Sequence, residues 1–330
     1  MIPLSDQQNL FLIETTQLYH AWIDAKHNAQ QHKYGMRWVR SKDREYLVRL
    51  NDASGNGKSL GVRSAQTEAI YAAFLQNKAR ATTRLQSLTA QLKSQSKLNK
   101  ALRMGRMPSV VADILQTIDL SNARDDFRLI GTHALYAYET MASVQCRMEL
   151  LASGDVDLLF DPRKKLSVIS QNLDGEGLLS LLQKADKSFQ LQTLHPYRAV
   201  NDQGFMVDLI VPTQPMHKAS IQFSEADFMV VEVPSLQWQA NAPAVEVITL
   251  AANGEAVRVK VPDPRAFAIH KAWLSQQPER EPAKKSRDLN QAKLVYAMLR
   301  DHLPQYPLDT SQLKYMPAEV VEIGLSRLNT

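Results

Sequence analysis

The spacing of apolar and polar residues changes several times along the chain, and each change marks an element. Residues 5–33 carry Leu10, Ile13, Leu18 and Trp22 at helical intervals, which predicts an N-terminal helix. The next segment, MRWVRSKDREYLVRL, alternates and is rich in strand-forming residues. It predicts a strand over 36–50 that returns through 58–62 as a hairpin, with Asn56-Gly57 as the turn. Leu85, Leu88 and Leu92 then form a stripe at helical spacing within a long helix over 65–104. From residue 110 the pattern is mixed. VVADILQTIDL reads as helix, and DFRLIGTHALYAYETM as a short strand, a tight glycine turn and a second helix. DVDLLFDPR, FQLQTL, GFMVDLIVP and DFMVVEVP are strand-like, and PAVEVITL pairs with AVRVKVP across the turn 252–255. Asp263-Pro264, a cap followed by a first-turn proline, opens a helical remainder that runs to Thr330. The order of elements predicts an α/β (α+β) chain in three parts. These are a helical and hairpin region over 1–115, a mixed core over 116–235, and a hairpin with helices over 236–330.

Composition narrows the setting. With 330 residues, 44% of them hydrophobic, the chain can bury a sizeable core and is globular. Cys146 is the only cysteine, so no disulfide forms within the chain and a thiolate zinc site is excluded. It reads as a small helix residue rather than a nucleophile. The N-terminus has no basic leader region and carries Asp6 and Glu14 early, and no apolar run reaches the length of a membrane span. A cytoplasmic protein is expected.

The formal net charge of +5 favours anionic partners. No acidic residue lies between Glu68 and Asp113, while Lys78, Arg80, Arg84, Lys93, Lys97, Lys100, Arg103 and Arg106 fall in that stretch. A basic helix over 78–106 suits a polyanion such as RNA, and reads equally as a solvated face. The GNGKS run at 55–59 invites comparison with a phosphate loop, but Asp52 stands where that loop needs its first glycine. A turn is expected there instead.

The segment SGDVDLLFD carries the chemistry. Side chains two apart on a strand share a face, so Asp155 and Asp157 point the same way while Val156 and Leu158 face the core. Two carboxylates on one face repel unless a cation lies between them, and magnesium suits such hard oxygen ligands. GFMVDLIVP supplies a third, Asp208, which is expensive to bury alone. Together Asp155, Asp157 and Asp208 are expected to hold two Mg²⁺ ions and to be the catalytic set. Upstream, Gly131 permits close backbone approach. Thr132 offers a hydroxyl and a backbone N–H at a helix start, where anions bind. Arg163 and Lys164 follow the acidic strand; they are placed to bind phosphates or an acceptor backbone, or to form a charged turn after Pro162. Asp161 is read as a cap or turn residue. His133, His195, His217 and His270 have no metal-ligand spacing and are expected to be structural or on the surface.

Strand, Gly-Thr, helix, then Asp-x-Asp, then a later strand Asp: this order resembles the nucleotidyltransferase superfamily that includes DNA polymerase β. GTHALYAYE, SGDVDLLFDPR and GFMVDLIVP are similar, more narrowly, to a bacterial branch of nucleotidyltransferase-like proteins. The superfamily resemblance spans about 116–235. The narrower one extends over WVRSKDREYLVRL, KSLGVRSAQTEAIYAAF and PRAFAIHKAW. It implies a mixed, twisted sheet flanked by helices, an NTP donor (ATP foremost), Mg²⁺ held by Asp155, Asp157 and Asp208, and Gly131 and Thr132 at the triphosphate. It further implies a helical lysine on the phosphates, for which Lys271 is the candidate, and a downstream basic–acidic pair, read here as Lys284 with Asp288 or as a plain helix salt bridge. The chain departs from the superfamily in having Gly-Thr where Gly-Gly or Gly-Ser is usual, and in a longer interval from Thr132 to Asp155. The expected activity is transfer of NMP from an NTP to a hydroxyl, an RNA 3′ end among the candidates. The alternative is an NTP- or RNA-binding module of the same fold without chemistry.

Overall fold

The computed structural model describes residues 1–160, 177–212 and 231–329. It divides into two compact units, one formed by Met1–Asn9 with Leu102–Thr330 and the other by Leu10–Ala101.

The smaller unit holds most of helix α1 (Asp6–Gln31), a three-stranded antiparallel meander and helix α2 (Ala65–Ala101). The meander replaces the expected single hairpin. Its strands, after the short β1 (Ile2–Pro3), are β2 (Met36–Ser41), β3 (Arg44–Leu50) and β4 (Gly57–Val62). What alternation alone reads as one strand over 36–50 is broken at Lys42, whose φ of 52° turns the chain. GNGKS is the β3–β4 turn and the start of β4. A Cβ at Gly57 would lie 2.4 Å from the Arg49 carbonyl oxygen, so the glycine serves strand approach rather than phosphate. Tyr19, Ile23, Leu47, Phe74 and Ala81 form the buried interior of this unit, whereas Leu10 and Ile13 are exposed. Helix α2 stops at Ala101, and the expected continuation to 104 is a turn in which Arg103 has φ 51°.

The larger unit is built on a mixed six-stranded sheet. Its strands are β5 (Phe127–Ile130), β7 (Asp155–Phe160), β8 (Gln190–Gln192), β9 (His195–Val200), β10 (Met206–Val211) and β11 (Val231–Glu232). The order is β5-β7-β10-β9-β8, with β11 pairing β10. β7, β10 and β11 run parallel, and the remaining pairs are antiparallel. Strand alternation divides the two faces. Phe127, Leu129, Val156, Leu158, Phe160, Val207, Leu209 and Val211 point into the main core. That core also takes helix α3 (Ser109–Asp119), helix α4 (Leu135–Met141) and the hairpin of β12 (Ala244–Leu250) with β13 (Ala256–Pro262). The opposite face holds Ile130, Leu159 and Ile210 against Leu236 and Ala240, and the acidic residues lie further along it.

The remaining short elements are β6 (Val144–Gln145), which pairs β1, and helices α5 (Met148–Leu151), α6 (Gly177–Ala185) and α7 (Gln237–Asn241). Helices α8 (Pro264–Leu274), α9 (Pro282–Asp301) and α10 (Ala318–Leu328) complete the unit. Asp263 caps α8, its carboxylate accepting from the Arg265 N–H at 2.8 Å, with Pro264 in the first turn. Cys146 is free and buried but lies between β6 and α5 rather than on a helix; burial raises its thiol pKa. Among the described residues no helix is long and apolar enough to cross a membrane.

Candidate active site

The acidic residues meet because of strand register. β7 and β10 are parallel neighbours with Asp208 opposite Asp157 and Met206 opposite Asp155. Adjacent strands lie about 4.8 Å apart and registered residues share a face, so all three carboxylates project from one patch of the sheet. Val156 and Leu158, between and beyond them, are fully buried on the other side.

The electrostatics of this patch are unbalanced. Burial, reinforced by Asp155 and then Asp208, pushes the Asp157 carboxyl up from 3.8 to about 7. Lys271 and Arg198 act on it in the opposite direction, which puts both cations within electrostatic reach. Asp208 has a direct partner. The Arg198 guanidinium, from the neighbouring β9 position, donates from Nε to Oδ1 at 2.6 Å and from Nη2 to Oδ2 at 2.7 Å. Ser153 Oγ donates to Asp155 Oδ1 at 2.5 Å.

Gly131 stands directly over Asp157. Its φ is 65°, and a Cβ there would come within 2.2 Å of Asp157 Oδ2. The glycine turn that follows β5 therefore exists at least in part to admit a carboxylate, on top of the backbone conformation that only glycine adopts freely. Thr132 follows in a short 3₁₀ turn leading into α4. Its Oγ1 accepts from Gln291 Nε2 at 3.2 Å, and the same amide donates to the Leu150 carbonyl at 2.9 Å. Arg287, one turn earlier on α9, donates to the Ala152 carbonyl. Helix α9 thus ties the glycine turn to the loop that delivers Asp155. His133, next in line, is buried against Tyr136 and Phe205. Burial lowers its pKa to about 4, so the ring is neutral at pH 7.

Lys271 lies on α8, nearly buried, with Nζ donating to Asp288 Oδ1 at 2.6 Å. Asp288 Oδ2 accepts from Arg280 Nε at 2.8 Å. The downstream pair differs from the i, i+4 reading. Lys284 pairs with Glu281 on the surface, and the partners of Asp288 are Lys271 and Arg280. His270 is buried beside Trp238 and Trp273, and His195 is exposed. Asp161, Arg163, Lys164 and His217 lie outside the described residues.

Sequence reasoning missed Arg198, Gln291 and the Lys271–Asp288–Arg280 cluster. The only local signal for Arg198 is a basic residue on a strand ten positions before Asp208. Nothing local signals Gln291, since its partners are 141 and 159 residues away.

Among the described residues, no three His, Cys, Asp or Glu side chains stand grouped as a metal cage. The donor chemistry nonetheless fits Mg²⁺. The patch offers only hard carboxylate oxygens, and the raised Asp157 pKa marks a place where a cation would relieve the repulsion.

A mixed α/β sheet flanked by helices, with this topology, is the nucleotidyltransferase-type α+β fold. The model of a nucleotidyltransferase family matches residues 109–317, from α3 to the start of the α10 cap, and the chain belongs to that family. No curated protein and no solved structure matches it.

Proposed function

We propose that the chain moves an NMP group from an NTP, ATP foremost, to a hydroxyl acceptor and releases pyrophosphate. The observation that carries this reading is the register of Asp157 against Asp208, with Asp155 on the same face and Gly131 against Asp157. In this reading Asp155, Asp157 and Asp208 hold divalent metal, two Mg²⁺ ions. When bound, these supply charge neutralisation and activate the attacking hydroxyl. The residues of the chain do the rest. Thr132, steadied by Gln291, and Lys271, steadied by Asp288, bind and orient the triphosphate. Arg163 is a further candidate for the phosphates. The acceptor oxygen bonds to the α-phosphorus, the bond to the bridging pyrophosphate oxygen breaks, and the hydroxyl proton passes to a carboxylate of the cluster.

The distribution of charge supports RNA as acceptor. The unit Leu10–Ala101 contains fifteen Lys and Arg against six Asp and Glu, a net +9, and the other residues carry −4. On α2, Lys78, Arg80, Arg84, Lys93, Lys97 and Lys100 make no ion pair to an acid among the described residues. Arg106, counted in the basic run at the sequence level, belongs elsewhere: it pairs with Glu139 in the larger unit. The polyanion surface is therefore assigned to residues 78–100 rather than 78–106. A cytoplasmic setting accords with the free, buried Cys146.

The full chain incubated with labelled NTPs, Mg²⁺ and total RNA is expected to transfer label, and Asp155→Ala and Asp157→Asn are expected to abolish it. Absence of transfer to RNA, protein or small-molecule hydroxyls, with nucleotide still raising Tm, would favour the second reading. That reading is an NTP-binding module without turnover, and the closed Arg198–Asp208 pair is what favours it.

A further inference from the structure

Arg198 has no role in the expected nucleotidyltransferase set, yet it makes a bidentate ion pair at the acidic patch. Its planar fork meets both oxygens of Asp208, at 2.6 and 2.7 Å, in the bidentate arrangement that guanidinium makes with carboxylate and equally with phosphate. The two side chains differ in exposure. That of Asp208 is 9% exposed and that of Arg198 24%. Asp208 lies within the sheet, while the guanidinium belongs to the more exposed side chain and stands 5.8 Å from the Tyr197 ring. A carboxylate engaged on both oxygens by a fixed positive charge is a poor ligand for a divalent ion. The same guanidinium, displaced, is a phosphate ligand carried on the strand next to the ion's ligands.

We propose that Arg198 is a resident counter-cation which competes with the divalent metal for Asp208 and changes partner, from carboxylate to nucleotide phosphate, when metal and NTP bind together. The proposal rests on the reading of Asp155, Asp157 and Asp208 as metal ligands. It makes Arg198 a positioning residue that couples the two ligands. Metal alone binds weakly because it must displace Arg198. Nucleotide alone binds weakly because Arg198 is engaged. Each strengthens the other because the exchange satisfies both, and such coupling is reciprocal.

The test uses the full chain, with Mn²⁺ titrated by calorimetry in the absence and presence of a non-hydrolysable ATP analogue. Arg198→Gln is expected to bind Mn²⁺ alone about tenfold more tightly than the parent, since removing an adjacent positive charge shifts a carboxylate equilibrium by about one log unit or more. At saturating Mn²⁺ it is expected to bind the analogue more weakly, so that the coupling between the two shrinks. Arg198→Lys keeps the charge without the fork, and is expected to show a smaller gain in Mn²⁺ affinity and a partial loss of coupling. It serves as the readout if the glutamine variant does not fold. Unchanged or weaker Mn²⁺ binding in the variant that folds overturns the proposal and leaves Arg198 as a support for Asp208. Asp157→Asn separates the two levels. If it leaves Mn²⁺ binding intact, the metal reading itself is wrong; if it removes binding while the Arg198 variant changes nothing, only the exchange is wrong.

Discussion

Asp157 is a carboxyl in surroundings that disfavour its anion. Its folded pKa, about 7, stands above the ordinary 3.8, chiefly through burial and then through Asp155 and Asp208. Between those two values the folded state binds more protons than the unfolded state. Stability from this group is therefore present at low pH and is lost as pH rises through 7. In chelator-treated protein, Asp157→Asn is expected to raise Tm by a few degrees at pH 8 and by much less at pH 5. An equal or larger gain at pH 5 would contradict the assignment. The same strain explains Gly131. A side chain there would meet Asp157 Oδ2 as well as an unfavourable positive φ, so the turn and the carboxylate define each other. That Asp155 and Asp157 share a face was legible in the sequence, because the alternation of a strand is local. That Asp157 has Asp208 on one side and Gly131 on the other was not, because strand register is set by pairing between segments far apart in the chain.

Among the elements, α9 does the positioning. Gln291 donates to both Thr132 Oγ1 and the Leu150 carbonyl, and Arg287 to the Ala152 carbonyl. The glycine turn and the loop before β7 are therefore tied to one rigid helix. Gln291→Ala leaves the part-buried Leu150 carbonyl and the buried Thr132 hydroxyl short of a donor, at a cost of about 1–3 kcal/mol. It is expected to lower the denaturant midpoint and to speed amide exchange in the 150–154 loop. A variant as stable and as protected as the parent would mean that α9 is not the tie. The sequence pattern identified α9 only as part of a helical remainder. Asp288 reads in the sequence only as a partner for Lys284, and Gln291 carries no reading at all, yet both are buried. Asp288 meets Lys271 on the preceding helix α8 and Arg280 just before α9, whereas the partners of Gln291, the glycine turn and the loop before β7, lie more than a hundred residues away. The meander shows the same limit in the smaller unit. Continuous alternation over 36–50 hides the Lys42 turn, because a positive φ at lysine has no compositional signature.

At the scale of the molecule, charge and fold separate together. The unit Leu10–Ala101 carries +9 and the rest of the chain −4, a charge distribution that favours polyanions at the former. RNA affinity is expected to fall steeply with salt, with a log–log slope of about −0.7 per phosphate contacted. Replacing Lys93, Lys97 and Lys100 by Glu is expected to flatten that slope and weaken RNA binding while leaving nucleotide binding unchanged. An unaltered slope, measured by fluorescence anisotropy, would remove α2 from the interface.

By itself the sequence determined whatever depends on short range. Period assigned most helices and strands of the larger unit, Asp263-Pro264 opened α8, and spacing put two carboxylates on one face of a strand. The tertiary structure alone decided which distant groups meet: Asp208 with Asp157, Arg198 with Asp208, Lys271 with Asp288, and Gln291 with Thr132. The physical reason is one of range. Backbone periodicity is written in adjacent residues, whereas register, burial and ion pairing follow from the packing of separate elements, whose partners here lie from 10 to 159 positions apart.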